Sequence, residues 1–136
     1  MANEEIMITE DYVSFETAKL LKEKGFDGEC DCLYADGNIL HARGGRCDWN
    51  KGETLFSDYK NECSAPTLQM TMKWLRERKQ IFIHIQRCKF KFFFTIERMD
   101  EPSENEHSLG HFKEFERGTY EEAAEAAIKY YLEKPF

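Results

Sequence analysis

The chain contains no apolar run approaching the ~20 residues a helix needs to cross a bilayer, so a membrane-spanning protein is not expected. Its first residues, Met1, Ala2, Asn3, Glu4 and Glu5, are acidic and polar, and the basic n-region of a secretory signal is missing. A basic excess is missing too. The net charge of −7 argues against a free-standing nucleic-acid binder but leaves room for a local basic patch. The phosphate-loop pattern G-x-x-x-x-G-K-[ST] is absent, and Gly44, Gly45 and Arg46 do not replace it. There is no internal repeat. No carboxylate pair is set by a recognisable motif, so acid–base catalysis, and enzyme activity generally, has no specific support.

Cysteine is present but does not form a familiar framework. The five residues, Cys30, Cys32, Cys47, Cys63 and Cys88, are odd in number, and with no secretory signal the expectation is reduced thiols in a cytoplasmic protein. Cys30, Cys32, His41 and Cys47, with Cys63 as a further ligand, carry the thiolate and imidazole chemistry of a zinc site. Their C-x-C spacing departs from the usual knuckle, and no second close pair follows. No cofactor is therefore expected; reduced thiols without metal are the simpler reading. Cys63, shortly before an expected helix start, is a candidate thiol nucleophile, although no His is tied to it by sequence. His107 and His111 are four apart, but Gly110 breaks the helix that would align them as a metal pair.

What is abundant is aromatic. Eleven Phe and six Tyr in 136 residues point to a core built on rings. That length suggests one domain over 1–136, opening with a loosely ordered lead-in over 1–12. Ser14 as N-cap, Phe15, Ala18 and Leu21 at helical spacing, terminal Lys22 and Lys24, and Gly25 predict a helix over 14–24. Asp36 and Gly37, between Cys32-Leu33-Tyr34 and Ile39-Leu40-His41, predict a tight hairpin. Residues 43–62 read as a long loop, which in a compact domain either carries function or contains a further element around Leu55 and Phe56.

The second half carries the strongest pattern. Ser64 is an N-cap candidate with Pro66 in the first turn, and Leu68, Met72 and Leu75, widened by Met70 and Trp74, form a helical stripe. Ile81, Ile83 and Ile85 alternate along one strand; Phe90, Phe92, Phe94 and Ile96 alternate along a second, with Arg87 and Cys88 as the turn between them. Leu109 to Phe115 is an expected third strand with Phe112 in the core. Thr119 and Glu122 form a capping box that opens an Ala-rich helix through Leu132. The expected fold is a single α+β domain with an antiparallel sheet. An α-β-β-β-α unit spans 64–132, and the first helix and short hairpin pack beside it.

Three segments carry a resemblance: Glu10-Asp11-Tyr12-Val13-Ser14-Phe15 running into Leu20-Leu21-Lys22-Glu23-Lys24-Gly25-Phe26; Cys63-Ser64-Ala65-Pro66-Thr67-Leu68-Gln69-Met70 with Lys73-Trp74-Leu75-Arg76-Glu77; and Thr119-Tyr120-Glu121-Glu122-Ala123 through Lys129-Tyr130-Tyr131-Leu132-Glu133. Together they resemble a family of small proteins of gut Bacteroidetes, often encoded in prophage or other mobile-element regions. The resemblance implies such an origin and no particular activity. The order α-β-β-β-α is also similar to the topology of double-stranded-RNA-binding domains. That family places a Lys cluster at the start of its last helix, where this chain has Tyr120, Glu121 and Glu122; two carboxylates there would repel phosphate.

Lys73, Arg76, Arg78, Lys79, Arg87, Lys89 and Lys91 surround Phe82, His84 and Phe93. Cations interleaved with rings suit an anionic partner. Arg76, Lys79, His84, Arg87, Lys89, Lys91 and Phe93 are accordingly the candidate contact residues. The expected role is a non-enzymatic binding or accessory protein acting through this hairpin on a protein partner. The alternatives are nucleic-acid contact and a small zinc- or thiol-dependent protein.

Overall fold

A computed structural model describes residues 8–42, 45–51, 62–100 and 117–134. Helix α1 (Phe15–Glu23) begins where expected. The Ser14 side chain accepts from Thr17 N, Glu16 lies in the first turn, and Thr17, Ala18 and Leu21 face inward. Such a cap contributes about 1 kcal/mol. Gly25, at φ +88°, turns the chain out of the helix, and Phe26 N donates to Leu21 O at 2.9 Å.

Strands β1 (Cys32–Ala35) and β2 (Asn38–His41) form the Asp36-Gly37 hairpin, with Ala35 opposite Asn38 and Cys32 opposite His41. Asp36 and Gly37 sit at φ +51° and +83°, the paired left-handed geometry of a two-residue hairpin turn. The short β3 (Cys63–Ser64) pairs antiparallel with the other edge of β1, giving the order β2-β1-β3. Within 43–62, a single 3-10 turn at Trp49–Lys51 and an antiparallel bridge between Cys30 and Cys47 fall among the described residues. Leu55 and Phe56 lie outside them.

Helix α2 (Leu68–Lys79) starts later than expected. Its cap is Thr67, whose hydroxyl accepts from Met70 N at 3.1 Å. Ser64 instead pairs with Leu33 in the sheet, and its hydroxyl accepts from Trp49 N at 3.0 Å. The physical reason is Pro66, which disfavours helical backbone at Ala65 and so holds off the helix until the proline is passed. The chain is already fixed before α1: Tyr12 bridges Thr67, and Leu68 N donates to Asp11 O at 2.9 Å.

Strands β4 (Ile81–Cys88) and β5 (Lys91–Arg98) form a separate two-stranded antiparallel sheet. Their turn is Lys89-Phe90, not Arg87-Cys88; the register pairs Cys88 with Lys91 and Ile83 with Ile96. Lys89 takes φ +57°, supplying the left-handed residue a two-residue turn needs although no Gly is present. A shift of two residues leaves the inward face unchanged, because strand side chains repeat every two. The alternation thus holds, and the structure buries the face of Ile81, Ile83, Phe94 and Ile96, while Phe90 leaves the strand for the turn. The expected third strand and Phe112 lie outside the described residues, although Phe92 and Arg117 exchange backbone hydrogen bonds of 2.8 and 2.7 Å just before the last helix.

Helix α3 (Tyr120–Glu133) has the expected cap: Thr119 Oγ1 accepts from Glu122 N at 3.1 Å. Ala123, Ala124 and Ala127 are fully buried, and their small side chains bring the helix close to the β4–β5 sheet and to α1. The shared core runs from Leu21 and Leu33 through Leu75, Ile81 and Phe94 to Ile128 and Leu132, so both sheets and all three helices enclose one α+β domain core.

A basic hairpin tip as the candidate interaction surface

The fold divides the expected basic patch in two. Arg76 and Lys79 sit at the end of α2, beside the hairpin root at Ile81; Arg87, Lys89 and Lys91 sit at its tip. Seven strand steps separate Ile81 from Cys88, roughly 23 Å at about 3.3 Å per residue. The cations therefore fall into two groups, one at each end of the hairpin.

Much of the root is engaged within the protein. Arg78 Nη1 bonds Asp27 Oδ2 at 3.2 Å, and Lys79 Nζ lies 5.5 Å from the centre of the Trp74 ring. Trp74 is itself held by its indole N–H donating to Asp27 Oδ1 at 2.9 Å. Arg76 and Lys79 in the last helical turn complement the helix dipole, a sufficient structural reason for their placement.

The two faces of the hairpin are unlike. The inner face packs on the helices. The outer face carries Phe82, His84 and Gln86, with the Phe82 and His84 rings stacked at 6.0 Å and 27° and His84 Nδ1 3.2 Å from Gln86 Nε2. Phe93 shares this outer face yet is only 6% exposed, so it is a packing residue and not a platform open to a base or a partner ring. Phe90, at the turn, is 90% exposed and flanked by Lys89 and Lys91, with Arg87 close behind. Among the described residues no hydrogen bond or ion pair ties Arg87 or Lys89. The missed signal was the turn position: with no Gly or Asn to mark it, Phe90 reads as one more apolar member of the strand period.

The hairpin tip adjoins an open groove of about 660 Å³ between the N-terminal segment and α3. Its walls carry Glu10, Asp11, Glu121, Glu122 and Glu125 against two cations, Arg117 and Lys129; Tyr12, Leu68 and Ala126 supply apolar surface. Lys129 Nζ bonds Glu16 Oε2 at 2.8 Å. Glu125 Oε1 accepts from Ser14 N at 2.9 Å and from Thr17 Oγ1 at 2.7 Å, while its Oε2 is buried and takes no partner among the described residues. Phe92, two residues from Phe90, joins tip to groove: it pairs with Arg117 and meets the Tyr120 ring edge-on at 6.3 Å.

The cysteines separate similarly. Cys32 Sγ lies 3.1 Å from His41 Nδ1, across the β1–β2 pairing, and the His41 ring meets Tyr12 edge-on at 6.1 Å. A hydrogen bond with Cys32, followed by burial, pushes the Tyr12 phenol up to about 12. Cys30 turns elsewhere, its Sγ 3.7 Å from Gly28 O and 4.0 Å from Met70 Sδ, and Cys47 meets it through backbone bonds. Four expected ligands thus resolve into one thiol–imidazole pair and two backbone-paired cysteines. Among the described residues no group of three or more His, Cys, Asp or Glu is placed to hold a metal ion. Burial pushes the Cys30 thiol up to about 12 and the Cys63 thiol to about 11. Cys63 lies in β3, not at a helix start, and is protonated at neutral pH, the reverse of an activated nucleophile. His107 and His111 lie outside the described residues, and among those described no helix is long and apolar enough to cross a membrane.

Comparison with protein-family models, with curated proteins and with solved structures finds no match to this chain.

Proposed function

We propose that the protein is a non-enzymatic binding module whose β4–β5 hairpin tip engages an acidic protein surface. The observation that carries the reading is Phe90, 90% exposed at the turn with Arg87, Lys89 and Lys91 around it. An exposed ring stabilises the isolated protein little. In a complex, burying such a ring removes about 150–250 Å² from water, and neighbouring cations orient the encounter through charge. A protein partner is favoured over nucleic acid by the surroundings. The chain carries −7 overall, and the carboxylates beside the tip would repel a polyanion long enough to run past it. A compact acidic patch that meets only the tip avoids that repulsion. The sequence resemblance to proteins of mobile elements is consistent with an accessory role of this kind.

Fluorescence anisotropy with two labelled probes, a Glu- and Asp-rich peptide and a single-stranded oligonucleotide of equal charge, tests the reading. The peptide is expected to bind, and Phe90→Ser and Lys89→Glu are each expected to weaken it at least tenfold without changing the melting temperature. Binding of the oligonucleotide alone would transfer the tip to nucleic-acid recognition; binding of neither probe would refute the proposal.

A further inference from the structure

The tip and the acidic groove are neighbours on one surface and opposite in character. Phe92 links them directly, and Lys89 and Phe90 lie within about 10 Å of it along the turn, at roughly 3.3 Å per residue. The tip offers Lys89 and an exposed ring at the turn, with Arg87 and Lys91 on opposite faces just behind; the groove carries Glu10, Asp11, Glu121 and Glu122, with Glu125 engaged by Ser14 and Thr17 and Lys129 by Glu16. Tyr12 and Ala126, with the buried Leu68, also line the groove and give it apolar surface beside the carboxylates. Within one molecule the tip cannot fold back into the groove, because Phe92 is fixed to Arg117 by two backbone hydrogen bonds.

We infer that a second copy of this chain occupies the groove, with the tip of each copy inserted in the groove of the other. The inference rests on the proposed role of the tip and gives that role a specific partner. Adjacent, complementary patches are the condition for a closed two-fold contact: residue i of one copy meets residue j of its partner, and j meets i. Phe90 enters against Tyr12 and Ala126 of the partner copy, and Lys89 and Arg87 approach Glu121 and Glu122. Two small symmetry-related contacts make a modest interface, so the dimer exchanges with monomer instead of being permanent. It also masks the tip, so an outside acidic partner competes with self-association.

Sedimentation equilibrium of the intact chain over a wide concentration range, with charge swaps at exposed positions, tests the inference. Wild type is expected to shift reversibly from monomer to dimer. Lys89→Glu/Lys91→Glu makes both patches acidic, and Glu121→Lys/Glu122→Lys makes both basic; each is expected to be monomeric. An equimolar mixture of the two variants restores both complementary contacts and is expected to give a heterodimer. Far-ultraviolet melting curves confirm that each variant is folded, and Phe90→Ser serves as a charge-neutral check that also loses the dimer. Wild type that stays monomeric, a dimer indifferent to both swaps, a mixture that stays monomeric, or growth beyond dimer would each overturn it. Peptide binding by the Glu121→Lys/Glu122→Lys variant reads the tip separately, so failure of the dimer is distinguishable from failure of the proposed function.

Discussion

Removing the hydroxyl of Thr17 tests how α1 is held to α3. Thr17 is fully buried, and its Oγ1 donates to Glu125 Oε1 at 2.7 Å while accepting from Ser14 Oγ at 3.1 Å. Glu125 Oε1 also takes Ser14 N at 2.9 Å, so one carboxylate oxygen joins the α1 cap to the middle of α3. Thr17→Val keeps the shape and deletes the donor. A hydrogen bond to a charged group contributes about 1.5–3 kcal/mol. Glu125 is only half-buried, which places the loss at the lower end, about 1.5–2 kcal/mol. At about 4 °C per kcal/mol for a domain of this size, the melting temperature should fall by roughly 6–8 °C. Glu125→Gln retains an oxygen acceptor and should cost less. Glu125→Ala should cost at least as much as Thr17→Val, because it leaves the buried hydroxyl without its acceptor, whereas water can reach the exposed Ser14 N–H. Urea titrations of the four corners of the Thr17→Val/Glu125→Ala cycle should show a coupling of at least about 1 kcal/mol. A Thr17→Val protein that melts with wild type, or purely additive losses, would refute the claim that this bond fastens the two helices.

Two further outcomes follow from burial and charge. Under native conditions a chromogenic disulfide reagent should modify exposed Cys88 rapidly and half-buried Cys47 more slowly, sparing Cys30, Cys32 and Cys63 until the protein unfolds. Cys88→Ser should remove the fast phase, and fast reaction of a second thiol would contradict the packing of β1 and β3. The hydrogen bond from Lys129, then its charge, holds the Glu16 carboxyl below its ordinary range, and the same bond raises Lys129. The depressed carboxyl contributes stability above its unfolded pKa, lost as pH falls through the folded value. The raised ammonium contributes below its unfolded pKa, and that is lost as pH rises through the folded value. Carboxyl NMR titration should therefore find Glu16 low in wild type and ordinary in Lys129→Met; equal values in both would show that the pair does not form in solution.

Local signals carried furthest into the structure. Asp36-Gly37 forms its turn because only a few residues accept two left-handed positions. Ser14 and Thr119 cap helices because each supplies an acceptor to the free N–H three residues on. Ile81, Ile83, Phe94 and Ile96 share one face because period two survives even a turn misplaced by two residues, although only packing made that face the inner one. Ser64 defeated the same reasoning, since its hydroxyl serves Trp49, a residue 15 positions away that no local pattern reveals.

The α+β class, the Ser14 and Thr119 caps, the first hairpin and the alternation of the strands were legible in the chain, because each depends on residues within one or two turns of each other. Packing settled which face of the second hairpin is buried, that Phe93 is covered and Phe90 is not, that Cys32 meets His41 while Cys30 does not, and that an acidic groove lies near the basic tip. Those relations depend on where distant segments pack, and long-range burial and charge are properties of the assembled surface, not of sequence neighbours.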